Sequence, residues 1–243
     1  MTRGGVVLLT HANHFVGPGA VRRLLQEEMT VVCHDVAFAD PQARARFQAE
    51  SPGVETLERS DPAEIVAETV ERFGGIDALI SNDPYPAIRA PVDEADPEEF
   101  RRTLDALAVW PLTVVGKAAA AMKAKGGGCI VIISSAAPLT GIPNYSMYAA
   151  ARGAANALVP SLAKELARWN ITVNAIAPNY IKNPDYFPPE LLADSAAMTK
   201  MLKNIPLGRL GEPEEVAELI ALFASGRCGF VTGHVLPIAG GWA

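Results

Sequence analysis

The chain has 243 residues, of which 49% are hydrophobic and 20% charged, and its formal net charge is −6. These proportions exclude a disordered chain, and the mild acidity argues against a nucleic-acid-binding protein, which would normally carry a basic surface. One hydrophobic core can serve a chain of this length, so we predict a single domain over residues 1–243.

The ends and the cysteines indicate a cytoplasmic protein. The first apolar run, residues 6–9, is too short for the core of a signal peptide. No stretch approaches the roughly 20 apolar residues that span a bilayer, so we expect no membrane contact. Cys33, Cys129 and Cys228 are odd in number and widely spaced, and we expect buried, reduced thiols. No Cys/His grouping has metal-ligand spacing, so we expect no metal.

Apolar runs and helical segments alternate along the whole chain. The predicted strands are residues 6–9, 30–33, 54–57, 76–80, 129–133, 171–176 and 235–238. The predicted helices are residues 19–29, 41–50, a segment opening at 61–62, 97 to about 124, 146–169 and a segment opening at 212–213. Continuous apolar strands separated by helices are typical of a parallel sheet covered on both faces. We therefore predict a Rossmann-like, doubly wound α/β fold with about seven strands.

The longest irregular stretch runs from residue 178 to about 193. It is rich in prolines and aromatic residues. Long loops in compact domains are usually functional or disordered, and the aromatic content favours a functional loop here.

The turn after the first strand differs from a dinucleotide-binding turn. In a doubly wound sheet, clustered glycines at this place let backbone N–H groups approach a pyrophosphate. The turn reads Thr10-His11-Ala12-Asn13-His14-Phe15-Val16-Gly17-Pro18-Gly19. Gly17 and Gly19 remain, but His14 and Phe15 would project bulky side chains into the crevice. We predict that the crevice binds no dinucleotide. The alternative is a turn that matches poorly but still binds the cofactor, in which case Asp35, at the end of the second strand, would bind the ribose.

A serine, a tyrosine and an arginine form a candidate catalytic group. Ser134 and Ser135 follow the fifth strand, and Tyr148 comes thirteen residues after Ser135. On a helix, Tyr148 and Arg152 would share one face, where the cation favours the phenolate. Tyr148 is then a general base near neutral pH, and Arg152 tunes and orients it. The competing Tyr145 has no cation four residues later.

These residues resemble the short-chain dehydrogenase/reductase superfamily over essentially the full chain. Ser81-Asn82 after the fourth strand and the closing Gly240-Gly241 fit the same pattern. Two departures matter. Arg152 stands where that superfamily has the lysine of Tyr-x-x-x-Lys, and His11 and Phe15 replace the first two glycines of its Gly-x-x-x-Gly-x-Gly turn.

Both departures occur together in one offshoot, the halohydrin dehalogenases, which the chain resembles in further places. The shared short motifs are His14-Phe15, Cys33-His34-Asp35, Ser81-Asn82-Asp83, Pro178-Asn179-Tyr180 and Tyr186-Phe187-Pro188. Each motif alone is weak, but the joint match is specific.

The resemblance implies a reaction on vicinal haloalcohols. Tyr148, as phenolate, would remove the proton of the substrate hydroxyl, Ser135 would hydrogen-bond the same oxygen, and Arg152 would lower the pKa of the tyrosine. The alkoxide would displace halide from the neighbouring carbon and close an epoxide. In reverse, halide, azide, cyanide or nitrite would open epoxides. No redox change occurs, so no nicotinamide or other cofactor is expected.

The resemblance also implies a halide pocket where a reductase holds nicotinamide. Asn179, Tyr180 and Ile181 would supply backbone contacts, and the walls would be Phe15, Pro178 and Phe187 or Tyr186. Asp83 would hold Arg152 or help to conduct the proton out. A homotetramer built through residues 97–124 and 146–168 is implied as well.

Two other hypotheses stay open. The chain could be an NAD(P)-dependent reductase with an unusual turn, which saturable binding of NADH or NADPH would support. It could also be a catalytically inactive binding module of the same fold, in which Tyr148→Phe would leave function unchanged.

Overall fold

In the computed structural model, which describes residues 4–243, seven parallel strands form one sheet with helices on both faces. The strands are β1 (Val6–Leu9), β2 (Thr30–Cys33), β3 (Glu55–Thr56), β4 (Ala78–Ser81), β5 (Gly128–Ile133), β6 (Ile171–Pro178) and β7 (Val235–Ile238). They lie in the order β3-β2-β1-β4-β5-β6-β7. The predicted doubly wound α/β fold is confirmed. Residues 1–3 of the predicted single domain lie outside the described residues.

The strands are apolar throughout because the sheet separates two hydrophobic cores. In β1, Val7 and Leu9 pack into one core, whereas Val6 and Leu8 pack into the other. Successive side chains of a strand point to opposite faces, so a sheet covered on both sides needs an apolar residue at every position. Each such side chain stabilises the fold by about 1.5–3 kcal/mol when fully buried.

The part of the chain that the structure describes contains ten α-helices, and most of them pack against the sheet. They are α1 (Gly17–Gln26), α2 (Pro41–Glu50), α3 (Pro62–Phe73), α4 (Pro97–Leu104), α5 (Trp110–Lys125), α6 (Ala137–Thr140), α7 (Ser146–Leu166), α8 (Pro189–Ala193), α9 (Ser195–Leu202) and α10 (Pro213–Ala224). Asp61 caps α3 and Asp96 caps α4, each with its carboxylate accepting a backbone N–H of the first turn. Both helix starts were predicted from the aspartate-proline pairs.

A π-helical segment, Asp105–Val109, joins α4 to α5, so one helix runs from Pro97 to Lys125. By length and composition alone this helix could cross a membrane, contrary to the expectation that no stretch comes close. Its buried face includes Val114 and Met122, which pack into the core beside β5. A core helix of a globular domain has the same apolar composition.

Several boundaries differ from the sequence prediction by one to three residues, and three differences lie beside the first turn and the loop after β6. Helix α1 begins at Gly17 rather than at residue 19, and β6 extends through Pro178 rather than ending at residue 176, because its last residues pair with β7. The stretch predicted to be irregular to about residue 193 contains the short helix α8, which starts where two consecutive prolines place Pro189 at a first helical position.

The three cysteines are all free, but they are not equally buried. Cys33 and Cys129 are buried in the sheet, as expected. Burial raises the pKa of the Cys129 thiol to about 11, so it stays protonated. Cys228 is only half-buried, because it lies in the turns after α10 rather than in a strand, and the expectation of burial was wrong for this residue.

Gly17 is required by a close backbone approach at the start of α1. A Cβ atom at this position would lie 2.3 Å from the backbone oxygen of Ala12. We expect Gly17→Ala to lower the free energy of unfolding by roughly 1–3 kcal/mol, measured by urea denaturation. Gly19→Ala is the matched control, since its Cβ would meet the Pro213 oxygen at 3.4 Å, an ordinary contact. Equal stability of the two variants would contradict this account.

Candidate active site

The candidate site lies at the carboxyl ends of the central strands, where the strand order reverses between β1 and β4. A cavity of about 450 Å³ opens there. The end of β5 brings Ser135 to it, α7 brings Tyr148, and the first turn brings Phe15. Arg152 lies behind Tyr148 and is buried.

Tyr148 and Arg152 lie one turn apart on the same face of α7. The Nε of Arg152 donates to the Tyr148 hydroxyl at 3.3 Å. Its other nitrogens donate to two backbone oxygens, that of Ile133 at 3.0 Å and that of Asp83 at 2.9 Å. The guanidinium group is therefore fixed by three hydrogen bonds and directs one of them at the phenol.

The pKa of Tyr148 lies below its ordinary value of 10.0. Burial alone would raise it, but the charge of Arg152 and hydrogen bonding with Arg152, Tyr186 and Ser135 outweigh burial. Burial would likewise lower the pKa of Arg152, yet the neighbouring phenols raise it on balance, so the arginine stays a cation. Such a pair can hold a phenolate and use it as a base.

The two serines after β5 have different partners. The Oγ of Ser135 accepts the Ala137 N–H at 3.1 Å, so its own hydrogen can be donated into the cavity. The Oγ of Ser134 instead donates to the backbone oxygen of Arg152 at 3.3 Å, which engages its hydrogen. This difference favours Ser135 over Ser134 as the residue that binds a substrate oxygen.

Every residue predicted for the halide pocket lines the same cavity as Ser135 and Tyr148. These residues are Phe15, Pro178, Asn179, Tyr180, Ile181, Tyr186 and Phe187. The rings of Phe15 and Tyr186 meet edge to face, with 5.7 Å between their centroids. The first turn and the loop after β6 thus form one aromatic wall.

The backbone donors of that loop differ from the prediction. The Asn179 N–H donates to the Ile238 oxygen at 3.1 Å, because β6 pairs with β7, and is not free for an anion. The Tyr180 N–H donates to the Oδ1 of Asn179 at 3.0 Å, and among the described residues nothing accepts from the Ile181 N–H. The Nδ2 of Asn179 is buried and has no partner among those residues either. In the described part of the chain, the donors without a partner are therefore the Nδ2 of Asn179 and the N–H of Ile181, whereas the Tyr180 N–H is engaged within the loop.

Asp83 contacts Arg152 through its backbone, not through its carboxylate. The carboxylate accepts from Thr10 Oγ1 at 3.2 Å and from the Ser81 hydroxyl, and lies 3.1 Å from the Nδ1 of His11. The group of Asp83 that contacts Arg152 is its carbonyl oxygen, which accepts from the guanidinium at 2.9 Å. The contacts of this carboxylate with Thr10 and His11 were not predicted, since residues about 70 positions apart give no local signal.

The first turn does not fit a dinucleotide. His11 and Phe15 have φ angles of +47° and +51°, so the turn keeps a left-handed backbone that favours glycine, but it carries side chains there. The Phe15 N–H donates to Asp185 at 2.9 Å, and the Asn13 N–H donates to Asp35 at 3.0 Å. Carboxylates of the chain itself thus take donors that a pyrophosphate would need, and their charges would repel it.

Asp35 and Asp185 were not expected in this role. Asp35 was considered for a ribose, but its two oxygens bind the N–H groups of Asn13 and Ala37. Asp185 also pairs with His14, which raises the pKa of that histidine and lowers the pKa of the carboxyl. Nothing in the sequence near residue 185 indicates a partner in the first turn.

Sequence comparisons connect the chain with oxidoreductases. A family model described as enoyl-(acyl carrier protein) reductase matches residues 12–243. The chain is 31% identical to the 3-oxoacyl-[acyl-carrier-protein] reductase FabG of Thermotoga maritima, over 98% of this chain and 97% of that protein. It is 34% identical to the cis-4-hydroxycyclohexanecarboxylate dehydrogenase of Sinomonas cyclohexanicum, over 98% and 96%.

Structure comparisons connect it with dehalogenases. A solved structure described as a dehalogenation enzyme superposes with a TM-score of 0.97 at 48% identity, covering 99% of both chains. A halohydrin dehalogenase bound to ethyl (2S)-oxiran-2-ylacetate superposes with a TM-score of 0.93 at 34% identity, covering 97% of this chain and 96% of that one. Two kinds of chemistry are therefore found among similar proteins.

Proposed function

The chain belongs to the short-chain dehydrogenase/reductase superfamily, and from this premise we propose that it is a cofactor-independent halohydrin dehalogenase. It converts vicinal haloalcohols to epoxides with release of halide and a proton, and in reverse it opens epoxides with anionic nucleophiles. One observation carries the proposal. Tyr148, paired with Arg152, faces a cavity closed on the cofactor side by Phe15, whose N–H is taken by Asp185.

The first step is removal of the substrate's hydroxyl proton. The Tyr148 phenolate accepts this proton, and the Ser135 hydroxyl donates a hydrogen bond to the same substrate oxygen. Arg152 keeps its charge throughout and stabilises the phenolate form of the base. The substrate oxygen becomes an alkoxide only where both hydroxyl groups reach it, at the end of the cavity next to β5.

The second step closes the ring. The alkoxide uses one electron pair to bond to the neighbouring carbon, and the carbon–halogen bond breaks with its electrons going to the halide. The nucleophile and the leaving group belong to one molecule, so the protein needs only to hold the reactive conformer. The leaving halide accepts hydrogen bonds from the Asn179 side chain and the Ile181 N–H, with Tyr180 lining the same pocket. Tyr148 later loses its proton to solvent.

A reductase is the second candidate, because the curated relatives named above are oxidoreductases. The filled first turn disfavours it. We expect NADH and NADPH to show no saturable binding in fluorescence or calorimetric titrations. Saturable binding of either cofactor, with hydride transfer to a carbonyl compound, would replace the dehalogenase proposal by the reductase one.

The proposal is tested by incubating the protein with several vicinal chloro- and bromoalcohols, including 1,3-dichloro-2-propanol, without nicotinamide. Released halide and acid are measured together. We expect both to appear for at least one of these substrates. If neither appears with any of them, the proposal fails.

We further propose that the protein is a homotetramer assembled through the helix from Pro97 to Lys125 and through α7. Val109 and Leu112 on the first of these helices are apolar and exposed in the single chain. Burial of this surface against a second copy would remove it from water. Light scattering should give a mass about four times that of one chain, and a monomeric mass would contradict the assembly.

A further inference from the structure

Tyr186 lies beside Tyr148, although it was predicted only as a wall of the halide pocket. Its ring lies 6.3 Å from the ring of Tyr148, edge to face. Its hydroxyl donates to the backbone oxygen of Tyr85 at 3.0 Å. Tyr148 and Arg152 are also close enough to shift the pKa of the Tyr186 hydroxyl, upward and downward respectively.

The loop that carries Tyr186 is held at several points. The Tyr186 N–H donates to the Oδ1 of Asn183 at 2.9 Å, and the Nδ2 of that asparagine donates to the Ile181 oxygen at 2.7 Å. The next residue back, Asp185, binds the Phe15 N–H. The direction of the Tyr186 ring is therefore set by the backbone before any ligand arrives, which is what a positioning group requires.

Two phenols share one cation in this cluster, so their ionisations oppose each other. Once one phenol has lost its proton, its negative charge makes the second harder to ionise. Burial and the charge of Tyr148 raise the pKa of Tyr186, whereas Arg152 brings the pKa of Tyr148 down. Tyr148 therefore ionises first, and Tyr186 keeps a proton that it can donate.

We propose that Tyr186 is a positioning residue for the catalytic base: its hydroxyl donates to the Tyr85 carbonyl while Tyr148 is protonated and turns to donate to the Tyr148 oxygen when Tyr148 is a phenolate. The hydroxyl thereby stabilises the ionised base and holds its oxygen towards Ser135. This role rests on the proposed function, in which Tyr148 is the base, and is distinct from forming an apolar wall.

The ionisation of Tyr148 is influenced by the titratable and polar groups that surround it. The polar groups around the cluster lie on five elements. They are Arg152 on α7, Ser135 after β5, Asp83 after β4, His11 and His14 in the first turn, Asp185 and Tyr186 on the loop after β6, and Tyr145 at the cavity. Asp83 offers Arg152 its carbonyl, and its carboxylate is bound to other residues. Removing one phenol hydroxyl therefore changes one donor to Tyr148 and leaves the charges in place.

The test is Tyr186→Phe, which keeps the ring and its contact with Phe15 and removes only the hydroxyl. Loss of a donor to an anion raises the pKa of Tyr148, so less of the base is ionised at a given pH. Tyrosinate absorbance is followed by ultraviolet titration, and the curve of the same protein carrying Tyr148→Phe is subtracted, which leaves the signal of Tyr148 alone. In Tyr186→Phe the midpoint of this difference curve should lie higher by roughly one pH unit. The acid limb of kcat/KM should move upward by the same amount, with activity restored at higher pH.

Tyr85→Phe is the matched control, because the Tyr85 hydroxyl binds Glu99 and only its backbone oxygen contacts Tyr186. It should leave the midpoint of the Tyr148 difference curve unchanged. If Tyr186→Phe raises KM while the titration and the acid limb stay in place, Tyr186 is only a wall and the proposal is overturned. The titration needs no substrate. A shifted titration in a protein that dehalogenates nothing would support the role of Tyr186 while the proposed function fails.

Discussion

Tyr148→Phe should lower kcat for halide release by roughly 10³-fold, within the range that loss of a general base produces. The substitution removes one hydroxyl and keeps the ring on α7, so circular dichroism and the denaturation midpoint should change little. Activity falls because no base is then left in the cavity to take the proton of the substrate hydroxyl. Ser135 can donate a hydrogen bond to the substrate oxygen, but it cannot accept that proton at neutral pH.

Tyr145→Phe supplies the control for this result. Tyr145 lines the same cavity three residues earlier but has no cation one turn later. We expect it to retain kcat within a few-fold of the unmodified protein. Retention of full activity by Tyr148→Phe, or an equal loss in both variants, would remove Tyr148 from the role of base.

Arg152→Gln should produce the second largest loss, and this loss should depend on pH. The charge of Arg152 holds the pKa of Tyr148 below its ordinary value, against the opposing effect of burial. Without that charge the pKa rises, so the phenolate forms only at higher pH. At neutral pH we expect activity to fall by about 10²-fold or more, since one pKa unit corresponds to a tenfold change in the ionised fraction.

The pH–rate profile checks this explanation. Activity of Arg152→Gln should climb as pH rises through the raised pKa, and the gap to the unmodified protein should narrow. Arg152→Lys keeps the charge but cannot donate to Tyr148, Ile133 and Asp83 at once, so its loss should be smaller and less dependent on pH. A loss of equal size at every pH for Arg152→Gln would indicate a structural role only.

The sheet and the contact between Tyr148 and Arg152 could be predicted because local patterns determine them. A strand such as β1, apolar at every position, can only lie between two covered faces. Asp61 followed by proline marks a helix start, since its carboxylate binds the first free N–H groups. Tyr148 and Arg152 four residues apart on a helix must share a face, whatever the rest of the chain does.

The remaining features depend on contacts between distant parts of the chain. Asp185 reaches the N–H of Phe15 across 170 residues, and no periodicity encodes that pairing. The Asn179 N–H cannot bind an anion, because the pairing of β6 with β7 continues to the end of β6 and this N–H donates to β7. The Tyr186 hydroxyl reaches the Tyr85 carbonyl, 101 residues away, only because the loop after β6 folds back over the site.

The most direct test of the account follows halide, protons and epoxide together from a vicinal haloalcohol with nicotinamide absent. We predict that the three products appear in equal amounts, that added NADPH leaves the rate unchanged, and that Tyr148→Phe slows formation of all three by the same factor, roughly 10³. Turnover that requires NADH or NADPH, or that yields a ketone in place of the epoxide, would contradict the central claim that this site performs an internal displacement without hydride transfer.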